Sequence, residues 1–136
     1  MNQTSENPSF YVQYAYARIN SILRSLKIKF TNKVELNDKD FKLNEIEQKI
    51  LRKIFEWPKI IESASNKFDL HKIPVYLYDL ATLFHSYWSK GNEDEKYKFI
   101  ENEKIKRNEI FAIMNLIAIV LQNGMRILGV SLPDKM

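Results

Sequence analysis

Cysteine is absent from this chain, and only three glycines and four prolines occur in its 136 residues. The first absence excludes disulfides, thiolate metal sites and cysteine nucleophiles, and is compatible with a cytoplasmic setting. Few glycines and prolines argue against turn-rich β architecture and for long uninterrupted elements. The N-terminus carries no basic-then-apolar leader, and there is no P-loop or dinucleotide fingerprint. The longest apolar stretch, Ile110 to Leu121, is interrupted by Asn115 and is too short to span a bilayer, so it predicts a buried helix and no membrane partner. The two histidines, His71 and His85, have no second ligand at metal spacing. His85, beside an apolar helix face, fits a packed, hydrogen-bonded residue, and His71 fits an exposed helix–helix connection. Carboxylates are plentiful, but they sit in charge runs that solvated helix faces explain. Nothing assembles a nucleophile, a base and an orienting group, so neither catalysis, nor a metal, nor a cofactor is expected of these residues.

What remains is a globular balance: 45% apolar and 28% charged residues, enough for a real core in one domain covering residues 1–136. Lys and Arg number 21 against 17 Asp and Glu, a net charge of +4 that permits contact with a polyanion without requiring it.

Hydrophobic spacing divides the chain into helices. A first helix is predicted from about Phe10 to Lys29, opened by Pro8, with Val12, Ala15, Ile19, Ile22 and Leu26 on one face. Thr31 to Lys42 is polar and aperiodic, a loop. Leu43 to about Lys67 is helical again, with Ile46, Ile50, Ile54 and Phe55 inward and a kink or split at Pro58. A third helix from about Ile73 to Lys90 carries Leu77, Leu80, Ala81, Phe84 and Trp88, and Gly91 ends it with a left-handed cap. Asn92 to Lys106 is charged and reads as a mobile loop or exposed extension. The last helix, about Asn108 to Leu128, is apolar nearly all round in its first half and should be the most enclosed element, capped by Gly129. No period-2 strand is visible. The expected fold is all-α, a bundle of four to five main helices.

A second stripe accompanies the core stripe of the first helix. Tyr11, Tyr14 and Arg18 recur at i, i+3 and i+7, followed by Ser21 and Ser25. Unpaired RNA bases stack on rings and guanidinium planes while polar groups read their edges, and one stacked base contributes about 1–3 kcal/mol. Amphipathic packing, with the hydroxyls reaching water, accounts for the same spacing. Burial likewise accounts for Trp88.

Three blocks go further. The first helix, FYVQYAYARINSILRS (Phe10 to Ser25), resembles the opening of the anticodon-binding domain of arginyl-tRNA synthetases, close to YxQYAxxRxxSxxR. PVYLYDLATLFHSYW (Pro74 to Trp88) resembles the family's YLYxLAxxFHxFY, and VLQNGMRILGVSLPDKM (Val120 to Met136) its end, VLxNGLxLLGxxxPxxM. The blocks stand in the family's order and spacing and cover nearly the whole chain. The resemblance implies an α-helical domain of the class I synthetase anticodon-binding type. It further implies an anticodon loop of arginine tRNA as partner, gripped by Tyr11, Tyr14, Arg18, Trp88 and Met136. Trp88 stands where Tyr is usual, keeping a stacking face and losing the phenol. Phosphate contacts are expected from Arg24, Lys27 and Arg126. Arg107 is a further candidate, one turn before Ile110, where the family usually has an Arg. The acidic stretch Glu101 to Glu103 is expected to face away from RNA.

The resemblance also implies a longer parent, with a catalytic domain ahead of Met1 that joins arginine to its tRNA using ATP and Mg²⁺. This chain would be a non-catalytic, monomeric C-terminal piece. The rival reading is an autonomous helical protein-interaction module with its aromatic stripe buried against a partner. A complete small enzyme is disfavoured by the missing constellation.

Overall fold

Asn44 opens the second helix with a sequence device that also shapes the core. Its side chain accepts from the backbone N–H of Glu47 at 2.8 Å, and the Glu47 carboxylate accepts from the N–H of Asn44 at 3.0 Å, a reciprocal capping box. The computed structural model describes residues 8–25, 43–66, 69, 71–95, 98–101, 104–105 and 108–132. In these, α1 spans Pro8–Ser25, α2 Glu45–Phe55, α3 Trp57–Asn66, α4 Lys72–Glu93 and α5 Asn108–Ile127. Two short strands, β1 (Ile100–Glu101) and β2 (Lys104–Ile105), pair antiparallel between α4 and α5. The fold is an all-α bundle carrying one minimal hairpin. The predicted end of the first helix at Lys29 and the predicted loop Thr31 to Lys42 lie largely or wholly outside the described residues.

The break between α2 and α3 is the one expected from Pro58. Proline has no N–H to donate, and its ring would meet the carbonyl four residues back, that of Ile54. The chain turns at Glu56, whose N–H bonds Lys53 O at 3.2 Å, and α3 restarts with Pro58 in its first turn. Pro74 likewise sits in the first turn of α4.

α5 is the centre. Ile110, Ala112, Ile113, Met114, Ile117, Ala118, Val120, Leu121 and Met125 are buried, as is Asn115. The window Glu109–Ile127 has a mean hydropathy of 1.6 and is long and apolar enough to cross a membrane by length and composition. Counting the whole helix rather than its longest unbroken run thus corrects the expectation that it is too short. Within the bundle 61% of that window is enclosed, the condition of a core helix. Around it pack Val12, Ala15, Ile19, Ile22 and Leu23 of α1 and Leu77, Leu80, Ala81 and Phe84 of α4. α5 closes with Gly129 in the left-handed region (φ 72°), Val130 N–H bonding Met125 O at 2.9 Å and Gly129 N–H bonding Arg126 O at 3.1 Å, a Schellman cap.

Three expectations besides that one need correction. Phe55 is 73% exposed rather than inward, because the chain leaves the helix at Glu56. Gly91 does not end α4. It is a buried helical position, and the helix runs on to Glu93 before the extended backbone of Asp94 (φ −127°, ψ 120°) stops it. Glycine permits a left-handed cap without compelling one. The charged segment after it is not simply an exposed loop: it pairs as β1 and β2, and its Phe99 is buried against Tyr87 at 4.3 Å between ring centroids. The absence of a period-2 signal reflects strands only two residues long.

The Glu47 carboxylate is fully buried, and besides Asn44 it accepts from the Tyr87 hydroxyl. Hydrogen bonds to a charged group contribute about 1.5–3 kcal/mol, against 0.5–1.5 for neutral pairs. Glu47→Gln keeps the shape and removes the charge, so unfolding in urea should show a loss of about 1–1.5 kcal/mol. An unchanged midpoint would show that the buried charge contributes nothing.

Candidate nucleic-acid interface

Helical spacing puts Tyr14, Arg18, Ser21 and Ser25 on one side of α1, beside the buried face. α4 runs alongside, and its Trp88 forms the opposite wall. Between them lies an open groove of about 690 Å³, lined by Tyr14, Ala17, Arg18, Ser21, Ile22, Arg24, Ser25 and Trp88. The Arg18 guanidinium lies 5.8 Å from the Tyr14 ring centroid and 5.7 Å from that of Trp88, so it is bracketed by two aromatic faces. Its Nε is buried without a hydrogen-bond partner. Tyr14 is 42% exposed, with its ring 6.1 Å from that of Phe10. Trp88 is half-buried and stands edge-on to Phe99 at 5.4 Å.

Of the expected site residues, Tyr14, Arg18, Trp88 and Arg24 share this groove. Tyr11 does not line it. It is half-buried, its ring 4.9 Å from Tyr78 and 4.6 Å from His85, because its turn of α1 faces α4 rather than the opening. Arg126 is exposed in the last turn of α5 and is not among the lining residues. Lys27, Arg107 and Met136 lie outside the described residues, as do Asn102 and Glu103 of the acidic stretch. Ile110, at the family's Arg position, is buried in the core, so its side chain is turned away from any ligand.

Sequence reasoning missed two supports of the site. Gln13 Nε2 donates to Ser131 O at 2.8 Å, holding the segment after α5 against α1 one residue from Tyr14. The chain Glu47–Tyr87–Phe99–Trp88 links α2, α4 and the hairpin segment behind the groove. Asn44 and Glu47, three apart before an apolar run, carried a legible capping signal. Phe99 inside a charge run carried none.

His85 is half-buried as expected, but its Nε2 has no hydrogen-bond partner. Its pKa is lowered first by burial and then by the Arg18 guanidinium, against a smaller opposing effect of the hydrogen bond with the Tyr11 backbone. Facing it are Tyr11 and Arg18 from α1 and Phe84 of α4. The folded state therefore binds this proton less readily than the unfolded chain. Stability is fully present above the ordinary value of 6.5 and is lost as pH falls from there through the folded pKa. Urea midpoints measured from pH 7.5 to 5 should decline across that range in wild type and decline less in His85→Asn. Parallel profiles would refute the assignment.

An open groove bounded by aromatic rings and a guanidinium, on an all-α bundle, offers stacking faces and donors of the kind that single-stranded nucleic acid engages. The chain belongs to the DALR anticodon binding domain family, whose sequence profile matches residues 12–136. It is 44% identical over 134 residues to the arginine-tRNA ligase of Pelagibacter ubique, covering 98% of this chain and 23% of that protein. To the arginine-tRNA ligase of Rhizobium meliloti it is 36% identical over 142 residues, covering 98% and 24%. The chain thus spans about a quarter of the length of these curated relatives. A crystal structure of a Campylobacter jejuni protein, provisionally assigned as an arginyl t-RNA synthetase, superposes with a TM-score of 0.77 at 27% identity, over 97% of this chain and 27% of that one.

Proposed function

We propose that this chain is the C-terminal anticodon-binding domain of an arginine-tRNA ligase, and that the groove between α1 and α4 takes unpaired bases of the anticodon loop of arginine tRNA. The carrying observation is Arg18 set between the Tyr14 and Trp88 rings at the edge of open space. Rings offer stacking faces to bases, the guanidinium forks onto phosphate or a base edge, and Arg24, Ser21 and Ser25 supply further donors along the same wall. Tyr11 acts beside the groove, and Lys27, Arg107, Arg126 and Met136 extend the contact as the family resemblance implies.

In the parent enzyme, ATP and Mg²⁺ serve arginine activation in the catalytic domain, the other partner of this chain. The share of the present residues is binding and orientation, acting in the cytoplasm as part of a monomer. Filter binding tests the reading. Anticodon stem-loops of arginine tRNA should bind more tightly than unrelated stem-loops at moderate salt, and affinity should fall steeply as salt rises. Equal binding of both would defeat it. The rival, an autonomous protein-interaction module, is not favoured by the family match.

A further inference from the structure

Among the described residues three buried side-chain atoms lack a hydrogen-bond partner: Arg18 Nε, His85 Nε2 and Asn115 Oδ1. A buried polar group left unpaired is costly, so each needs a physical account. Asn115 lies on α5, whereas Arg18 and His85 meet where α1 packs on α4. Helix geometry sets these two beside one another. The His85 ring is 4.6 Å from that of Tyr11, two turns before Arg18 on α1. His85 also stands one turn before Trp88, whose ring is 5.7 Å from the guanidinium. A long helical side chain leans back toward its own N-terminus, which carries Arg18 toward the turn that faces His85. Its charge is near enough to act on the imidazole.

The two atoms are also complementary. The hydrogen bond with the Tyr11 backbone favours the protonated ring, so the ring donates and the Tyr11 carbonyl accepts. Nε2 is the nitrogen without a partner, so Nδ1–H makes that bond. In the neutral ring Nε2 is then a bare acceptor, while Arg18 Nε–H is a donor at any working pH. The hydroxyls of Tyr14, Ser21 and Ser25 belong to residues that line the open groove, whereas Arg18 Nε is buried.

We propose that His85 is a positioning residue for Arg18, its Nε2 receiving the Arg18 Nε–H through one ordered water. A buried water takes about two to four polar partners, and a donor facing an acceptor supplies two of them. The guanidinium is planar, so fixing Nε fixes the direction of the Nη fork. The Tyr14 and Trp88 rings flank it, and the water holds its inner edge, leaving the Nη groups for a phosphate or base edge in the groove. The link exists in the free chain; only its effect on binding rests on the anticodon reading above.

Two measurements on the 136-residue chain at pH 7.5, where the ring is neutral, test it. The first is solvent exchange of Arg18 Nε–H in the free protein, followed by NMR. His85→Asn keeps an amide at the place of Nδ1 for the Tyr11 carbonyl and removes the acceptor at Nε2. Exchange should quicken about three- to tenfold, and His85→Gln, whose amide oxygen reaches the place of Nε2, should slow it again. The second is filter binding of an arginine-tRNA anticodon stem-loop. His85→Asn should weaken it about three- to tenfold, and His85→Gln should recover most of the loss. In an Arg18→Ala background His85→Asn should add nothing, because a residue acting through Arg18 has no effect once Arg18 is gone. Unchanged exchange in His85→Asn overturns the proposal. An equal loss of affinity in both backgrounds, the mark of a merely structural histidine, overturns it too. So does faster exchange with wild-type affinity, because the water then positions nothing. If Arg18→Ala weakens arginine loops selectively and His85→Asn does not, the groove stands and only the role of His85 falls. If wild type fails to tell arginine loops from unrelated ones, the anticodon reading falls, and exchange alone decides whether the two side chains are linked.

Discussion

Replacing Arg18 by alanine should weaken binding of the arginine-tRNA anticodon stem-loop on the order of ten- to a hundredfold. The figure follows from losing a charge-assisted contact of about 1.5–3 kcal/mol, at about 1.4 kcal/mol per factor of ten. The stability of the free chain should drop far less, because the guanidinium's present partners are two ring faces, at 5.8 and 5.7 Å, and such contacts contribute about 0.5–2 kcal/mol. Two further readouts separate lost recognition from lost folding. The slope of log affinity against log salt should become shallower by about 0.7 for each single-strand phosphate contact removed. Arg18→Lys should restore that slope without restoring affinity, because an ammonium has no planar fork and stacks poorly between rings. Unchanged affinity in Arg18→Ala, or an equal loss for an unrelated loop, would remove the groove from consideration as the recognition surface.

The second large effect lies in the core, where α5 meets α4. A Cβ added at Gly124 would stand 2.6 Å from both Cδ atoms of Leu77 and 3.0 Å from its Cγ. Leu77 has no exposed surface and so little room to retreat. Gly124→Ala should therefore destabilise the fold by about 1–2 kcal/mol: overpacking costs about 1–3, and the better helix propensity of alanine returns up to about 1. Leu77→Ala, which opens a cavity, should cost about 2–5 kcal/mol. In the double variant the new methyl enters space that the leucine has left. Its loss should fall short of the sum by about 0.5–3 kcal/mol in denaturant melts. Additive losses would mean that the two helices shift rather than collide.

Much of this molecule was open to reading from its residues. The periodicity of α1, α4 and α5 follows directly from side chains that repeat on one face, and Pro58 and Gly129 act where backbone chemistry is decisive. Phe55 escaped, because it continues an apolar stripe past the point at which Glu56 turns the chain. The hairpin segment escaped because its packing is tertiary. Phe99 is buried by rings from α4, and nothing near it in the chain announces that. Tyr11 shows the limit within the site itself. It shares a stripe with Tyr14 and Arg18, but periodicity gives only the angle around a helix. Whether that angle meets open water or the rings of Tyr78 and His85 depends on how α4 is placed. Burial of Glu47 needed the Tyr87 hydroxyl, forty residues away in sequence, to make it tolerable.

The late place of the enclosed helix α5 in the chain also sets an order of events during synthesis. It is the last of the described helices to leave the ribosome, yet both α1 and α4 pack part of their apolar surface against it. At about 5–20 residues per second, the 20 residues of α5 take on the order of one to four seconds to make. Through that interval α1, α2 and α3 already have α4 to pack against, while the faces reserved for α5 stay open. The N-terminal helices can thus associate before the domain is complete, and α5 closes it. A nascent chain stalled before Asn108 leaves the surface that faces α5 uncovered and is one that chaperones should hold.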